Sequence, residues 1–141
     1  LDGENLEQGL EWAVDVCGLD AELLQRVDEC STGFRQRIGL ATALIHDPPI
    51  LLLDEPTHGF DPMQVIAFRD MLMRLRTDRA ILFSTHIIAD VEAVSDRVLI
   101  IHQGQLLGDG RIADLAEHND IIGAGLEALF AHLVRTTTES N

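Results

Sequence analysis

Apolar residues recur at helical spacing over residues 4–28: Leu6, Leu10, Val14 and Cys17, then Leu19, Leu23, Leu24 and Val27, with a break at Gly18. The pattern predicts two short helices. Ser31-Thr32-Gly33 punctuates the chain, and a further helix is expected from about Phe34 to Ile45, with Ile38, Ala41, Leu44 and Ile45 on one side. His46-Asp47-Pro48-Pro49 ends it, because proline disfavours helical backbone at the residue before it. The period then changes. Ile50-Leu51-Leu52-Leu53 is wholly apolar and closed by Asp54-Glu55-Pro56, which reads as a strand buried on both faces. Asp61-Pro62 is a cap followed by a first-turn proline, so a helix is expected to about Arg76 with Val65, Phe68, Leu72 and Leu75 inward. Ala80 to Ser84 reads as a second buried strand, His86 to Ser95 as a helix and Arg97 to Ile101 as a third strand. His102-Gln103-Gly104 turns the chain into Gln105-Leu106-Leu107, a hairpin. Helical segments follow at about 111–118 and 124–134, and the polar tail from Thr136 to Asn141 is expected to fray.

Strand, helix, strand, helix, strand is the order of an α/β fold with a mainly parallel sheet and flanking helices. The chain has 141 residues, 46% of them hydrophobic, enough for a buried core, and carries no internal repeat or low-complexity linker. Charge narrows the functional classes. Ten basic against 24 acidic residues give a formal −14, and every basic residue is Arg. Without Lys no complete P-loop is present, because that loop needs a Lys to reach the nucleotide phosphates. Such acidity disfavours a nucleic-acid-binding surface and polybasic docking to anionic lipid, and reads as a solubilising surface. Cys17 and Cys30 form no CxxC and read as reduced, buried thiols; the six histidines lack zinc-site spacing. Apolar runs of four to five residues are far too short to span a membrane. The start, Leu1-Asp2-Gly3-Glu4, has neither Met nor signal-peptide character and is expected to be a cut inside a longer chain.

In open α/β sheets ligands bind beyond the carboxyl ends of the strands. Asp54 and Glu55 follow the first strand and Ser84-Thr85-His86 the second. If those strands are neighbours, two carboxylates and an imidazole converge on one edge. One carboxylate can hold Mg²⁺ through its waters, a second can polarise an attacking water, and the imidazole can contact a terminal phosphate. An Asp-Glu pair after a strand is by default a solvated turn, and a lone His at a helix start a capping or surface residue; the four preceding aliphatics and the following Pro-Thr favour function here. Ser31-Thr32-Gly33 at a helix start offers backbone N–H groups and a hydroxyl to an anion, although Ser and Thr are also ordinary caps.

Together the motifs resemble the ATP-binding subunit of ABC transporters. Cys30-Ser31-Thr32-Gly33-Phe34-Arg35-Gln36-Arg37 is similar to the family signature, Ile50 to Thr57 to the Walker B strand with its catalytic Glu, Gly59-Phe60-Asp61-Pro62 to the D-loop, and Ser84-Thr85-His86 to the switch. The gaps fit as well: 23 residues from Ser31 to Asp54 and 32 from Asp54 to His86. The resemblance covers about residues 25–110 and is greatest to ABC-2-type exporter and gliding-motility ATPases. It implies a partial P-loop NTPase (ABC ATPase) fold: residues 1–48 a portion of the helical subdomain with the signature, 49–135 the Walker B, D-loop and switch part of the core with a C-terminal hairpin and helices, and 136–141 a tail. Departures are Thr32 for the first Gly of the signature, Cys30 for Leu, Phe34 for Gln and Phe60 for the usual Leu.

The resemblance further implies ATP and Mg²⁺ as ligands, with Asp54 on Mg²⁺ through water, Glu55 polarising the hydrolytic water and His86 on the γ-phosphate. Asp61 would lie at the dimer seam. Ser31, Thr32 and Gly33 would bind ATP held by the other subunit of a head-to-tail dimer. It implies a homodimer or second ATP-binding subunit, integral membrane permease partners, and a cytoplasmic place on the inner membrane face. No nucleic-acid partner is expected. Walker A, the aromatic loop and the Q-loop would precede residue 1, so these 141 residues alone are expected to bind ATP poorly and not to turn it over. Two alternatives remain: a soluble ABC ATPase of DNA repair or translation, and a non-catalytic dimerisation module that keeps the fold.

Overall fold

A computed structural model describes residues 3–20, 23–121, 123 and 125–139. The chain divides into two compact units, Leu1–His86 and Ile87–Asn141.

The first unit begins with helix α1 (Gly3–Cys17), whose inward positions include the fully buried Ala13 and nearly buried Cys17. Gly18, at φ +62°, ends it. The expected second helix over Leu19–Val27 is absent among the described residues: Leu23 and Leu24 are exposed, and the backbone is 3-10 at Asp20 and at Val27–Glu29 (Ala21 and Glu22 lie outside the described residues). So short a run cannot offset the cost of helix nucleation without a surface to pack on. Helix α2 (Thr32–Leu44) starts at Ser31, whose Oγ accepts the N–H of Phe34 at 3.1 Å. Phe34, Leu40, Ala41 and Leu44 are buried. Arg37 Nη1 donates to the carbonyl of Gly18 at 2.6 Å and that of Cys17 at 3.3 Å, so a cation closes the C-terminus of α1 where the helix dipole favours positive charge.

Strand β1 (Ile50–Asp54) pairs in parallel with β2 (Ala80–Ser84), in the register Ile50↔Ala80 to Asp54↔Ser84. Helix α3 (Pro62–Leu75) connects them and buries Phe68, Met71, Leu72 and Leu75. The expectation that β1 is covered on both faces is corrected: Leu51 is 3% exposed but Ile50 62% and Leu52 74%, and Leu82 of β2 is 56% exposed. A continuous apolar run does not say how many faces this chain itself covers.

The second unit opens with α4 (Ile88–Val94), shorter than the expected helix over His86–Ser95, leaving His86 in the preceding loop. The third strand, β3 (Val98–His102), does not extend the parallel sheet. It pairs antiparallel with β4 (Gln105–Gly110), as the expected hairpin, with a register shift between Ile100 and Ile101. Its inner face, Val98 and Ile100, packs with Leu126, Leu129 and Leu133 of α6 (Leu126–Glu139), and Leu115 of α5 (Ile112–His118) joins the cluster. The tail differs from expectation. Helix continues through Glu139, with the Thr136 hydroxyl donating to the carbonyls of His132 and Leu133 and that of Thr137 to Leu133. These bonds let threonines stay in helical backbone. Residues 140 and 141 lie outside the described residues. Among the described residues no helix is long and apolar enough to cross a membrane.

Candidate functional site

The parallel pairing of β1 with β2 sets Asp54 directly across from Ser84, on one sheet face, at the carboxyl ends of both strands. The Ser84 hydroxyl donates to Asp54 Oδ1. One residue on, the N–H of Glu55 is shared between the Ser84 carbonyl at 3.1 Å and the Ser84 Oγ at 3.3 Å. Glu55 itself has φ +45°, left-handed backbone that a non-glycine residue adopts at a cost. The turn is closed behind it by the N–H of His58 on the Glu55 carbonyl at 3.1 Å and that of Phe60 on the Thr57 carbonyl at 3.1 Å. The result aims the Glu55 side chain across to β2, where His86 Nδ1 lies 2.9 Å from Oε1 and 3.0 Å from Oε2. The expectation that Asp54, Glu55 and His86 gather on one rim therefore holds in this geometry. The rim is open to solvent: the His86 side chain is 73% exposed and that of Glu55 39%. A cavity of about 360 Å³ adjoins it, lined by Gln36, Leu40, Asp54, Glu55, Phe60 and Phe68 among others.

The chemistry follows from these atoms. An exposed carboxylate with one oxygen oriented by a hydroxyl suits a hard cation that keeps most of its waters, so Asp54 fits Mg²⁺. Among the described residues no group of three His, Cys, Asp or Glu is arranged to enclose a metal. A cation here would share a single carboxylate with ligands from elsewhere, such as phosphate oxygens. With its Nδ1 side taken by Glu55, His86 presents Nε2 outward, available to a phosphate oxygen when protonated.

The signature-like segment lies in the same unit. Ser31 and Thr32 are exposed at the start of α2, and Gly33 is buried. The small size of Gly33 admits the chain's own Gln64. A Cβ at Gly33 would stand 2.3 Å from Gln64 Oε1. That oxygen already accepts the N–H of Asp61 at 3.1 Å, while Asp61 Oδ1 accepts the N–H groups of Met63 and Gln64 at 2.9 Å each. This reciprocal capping box starts α3 and leaves Asp61 exposed. At Gly59, φ +79°, a side chain would meet Thr32 Cγ2 at 3.2 Å. The start of α2 and the loop before α3 are thus fitted to each other. Sequence reasoning placed Ser84 in the cluster ending the second strand but gave it no role of its own, and it missed Gln64, for which the N3 glutamine of a capping box was a signal; the contacts of Ser84 become visible only with the strand register.

The comparisons with known proteins agree. The family model "AAA domain, putative AbiEii toxin, Type IV TA system" matches residues 19–89, half of the chain. The chain is 36% identical over 110 residues to the uncharacterized ABC transporter ATP-binding protein YhcH of Bacillus subtilis, covering 77% of this chain and 36% of that protein. It is 33% identical over 115 residues to the bacitracin transport ATP-binding protein BcrA of Enterococcus faecalis (80% and 37%) and 42% identical over 101 residues to the ABC transporter ATP-binding protein NatA of Bacillus subtilis (71% and 41%). The matches thus span well under half the length of these curated relatives. A solved structure of the ATP-binding subunit of an ABC transporter superposes with a TM-score of 0.82 at 28% identity, over 95% of this chain and 56% of that one. The chain belongs to this AAA-domain family and is a member of the ABC transporter ATP-binding proteins.

Proposed function

We propose that these residues are the C-terminal part of an ABC transporter ATPase that hydrolyses ATP as a dimer to drive transport through membrane permease partners. Residues 1–48 supply a portion of the helical subdomain with the signature, 49–135 the Walker B, D-loop and switch part of the core, and 136–141 a polar tail. The observation that carries the reading is the Glu55–His86 pair, 2.9 Å apart beside Asp54 at the ends of two parallel strands. Glu55 polarises the attacking water and takes its proton as the water oxygen bonds to the γ-phosphorus and the bond to the ADP oxygen breaks. His86, held on Glu55 through Nδ1, turns Nε2 to the γ-phosphate. Asp54 holds Mg²⁺, which when bound neutralises phosphate charge. Ser31, Thr32 and Gly33 face the ATP of a second subunit across a seam containing Asp61; the exposure of Ser31, Thr32 and Asp61 supports this. Partnership with a permease places the protein at the cytoplasmic side of a membrane.

The 141 residues contain no Lys, so the cation that reaches the β- and γ-phosphates must come from elsewhere in the polypeptide. The test is turnover by the full-length protein with Glu55→Gln, where a loss of roughly 10²–10⁴-fold in kcat is expected with ATP binding retained. The 141-residue chain alone should show no turnover. Unchanged turnover in the variant, or substantial activity of the chain alone, overturns the reading.

A further inference from the structure

The pairing of β1 with β2 brings together three groups that the motifs treat separately. Ser84 is not the family's switch histidine, and nothing assigns it a role. Yet it reaches both acidic residues of the rim: its hydroxyl donates to Asp54 Oδ1, and its Oγ and carbonyl both receive the backbone N–H of Glu55, at 3.3 and 3.1 Å. The assignments are mutually consistent, since a hydroxyl has one proton to give and lone pairs to accept with. Two consequences follow. Asp54 is exposed and would otherwise sample several rotamers; the Ser84 bond selects one and engages only Oδ1, so Oδ2 keeps its lone pairs for a cation's water. Glu55 stands in left-handed backbone at φ +45°, and its N–H is held at that angle by β2 through Ser84.

We propose that Ser84 is a positioning residue for the hydrolytic site: its hydroxyl sets the Asp54 carboxylate for the metal and helps anchor the strained backbone that aims Glu55 at His86. The proposal rests on the ATP-hydrolysing reading above. Hydroxyls that orient a metal-binding carboxylate are commonly worth about 10–100-fold in metal affinity or activity. The alternative is that Ser84 is merely a small strand-end residue, in which case its hydroxyl is dispensable.

The experiment uses the full-length protein with Ser84→Ala, Ser84→Thr and, as control, Glu55→Gln. Mn²⁺ replaces Mg²⁺, and its binding in the presence of ATP is followed by electron paramagnetic resonance, independently of turnover. Ser84→Ala should weaken Mn²⁺ binding about tenfold and lower kcat about 10–100-fold. Binding of metal-free ATP should move less than about twofold, because the lost contact acts on the metal and the catalytic carboxylate, while metal-bound ATP should bind more weakly by about the same factor as Mn²⁺. Ser84→Thr, which keeps the hydroxyl, should return both to within about twofold of the parent. Parental Mn²⁺ affinity and kcat in Ser84→Ala overturn the proposal, as does a Thr variant as impaired as the Ala variant. Unchanged turnover in Glu55→Gln refutes the hydrolytic reading itself, while the Mn²⁺ titration of Ser84→Ala still decides whether Ser84 orients Asp54.

Discussion

Replacing Gly33 by Ala should destabilise the protein, against the usual preference of helices for Ala. The added methyl would stand 2.3 Å from Gln64 Oε1 and 3.1 Å from Nε2, so Gln64 must swing away. It then gives up the N–H of Asp61, a net loss of about 0.5–1.5 kcal/mol. Residual crowding at a buried site adds about 1 kcal/mol. The helical gain of Ala over Gly offsets about 0.5–1 kcal/mol. The expected net is about 0.5–2 kcal/mol of destabilisation. Gln64→Ala alone should cost about 1 kcal/mol through the same lost bond. In the double variant the clash is gone, the bond is already lost and the Ala gain remains, so it should be nearly as stable as the parent. The cycle thus predicts a favourable coupling of about 2 kcal/mol. Urea unfolding followed by circular dichroism reads all four species, provided the slope with denaturant is unchanged. A Gly33→Ala variant as stable as the parent, or additive single variants, would refute the packing account of this glycine.

Arg79 lies over the Trp12 ring, 4.9 Å from its centroid, with its side chain 8% exposed, and pairs with Asp47 and Asp78. Both carboxylates are largely exposed, so stacking and packing should outweigh the screened ion pairs. Arg79→Ala should cost about 1–2 kcal/mol and shift the emission of Trp12, the single tryptophan, to the red, with Lys restoring only part; unchanged emission and midpoint would count against it. Burial pushes the Cys17 thiol from 9.0 up to about 11, against the opposing pull of Arg37. Iodoacetamide should therefore modify Cys17 at pH 8 far more slowly in the folded than in the urea-unfolded protein, and equal rates would contradict the burial. The sign for stability follows. The proton is held more tightly in the folded state, so the Cys17 contribution is intact below pH 9 and declines between about pH 9 and 11; pH titration of the urea midpoint, compared with Cys17→Ala, checks the direction.

What the residues revealed in advance was local. The aliphatic runs from Ile50 and Ala80 marked strands, and Asp61-Pro62 marked a helix start, because each depends on neighbours in sequence. What they concealed depends on partners. The turn at His102-Gln103-Gly104 announced the hairpin of β3 with β4, but not that β3 pairs there and not in the parallel sheet of β1 and β2. Leu23 and Leu24 satisfy helical periodicity yet stand in solvent, since spacing counts a leucine without knowing whether a surface awaits it. In the site, Asp54, Glu55 and His86 were recognisable by type and position. The role of Ser84 emerges only from register, and that of Gly33 only from the approach of α3.

The left-handed backbone at Glu55 sets the rim against the interests of the fold. Gly or Asn would occupy that corner with less strain, but neither offers a carboxylate to the imidazole in the loop after β2. Selection for thermal robustness alone would therefore erode this corner first, and sequence optimisation that ignores chemistry would yield a sturdier protein with a silent rim.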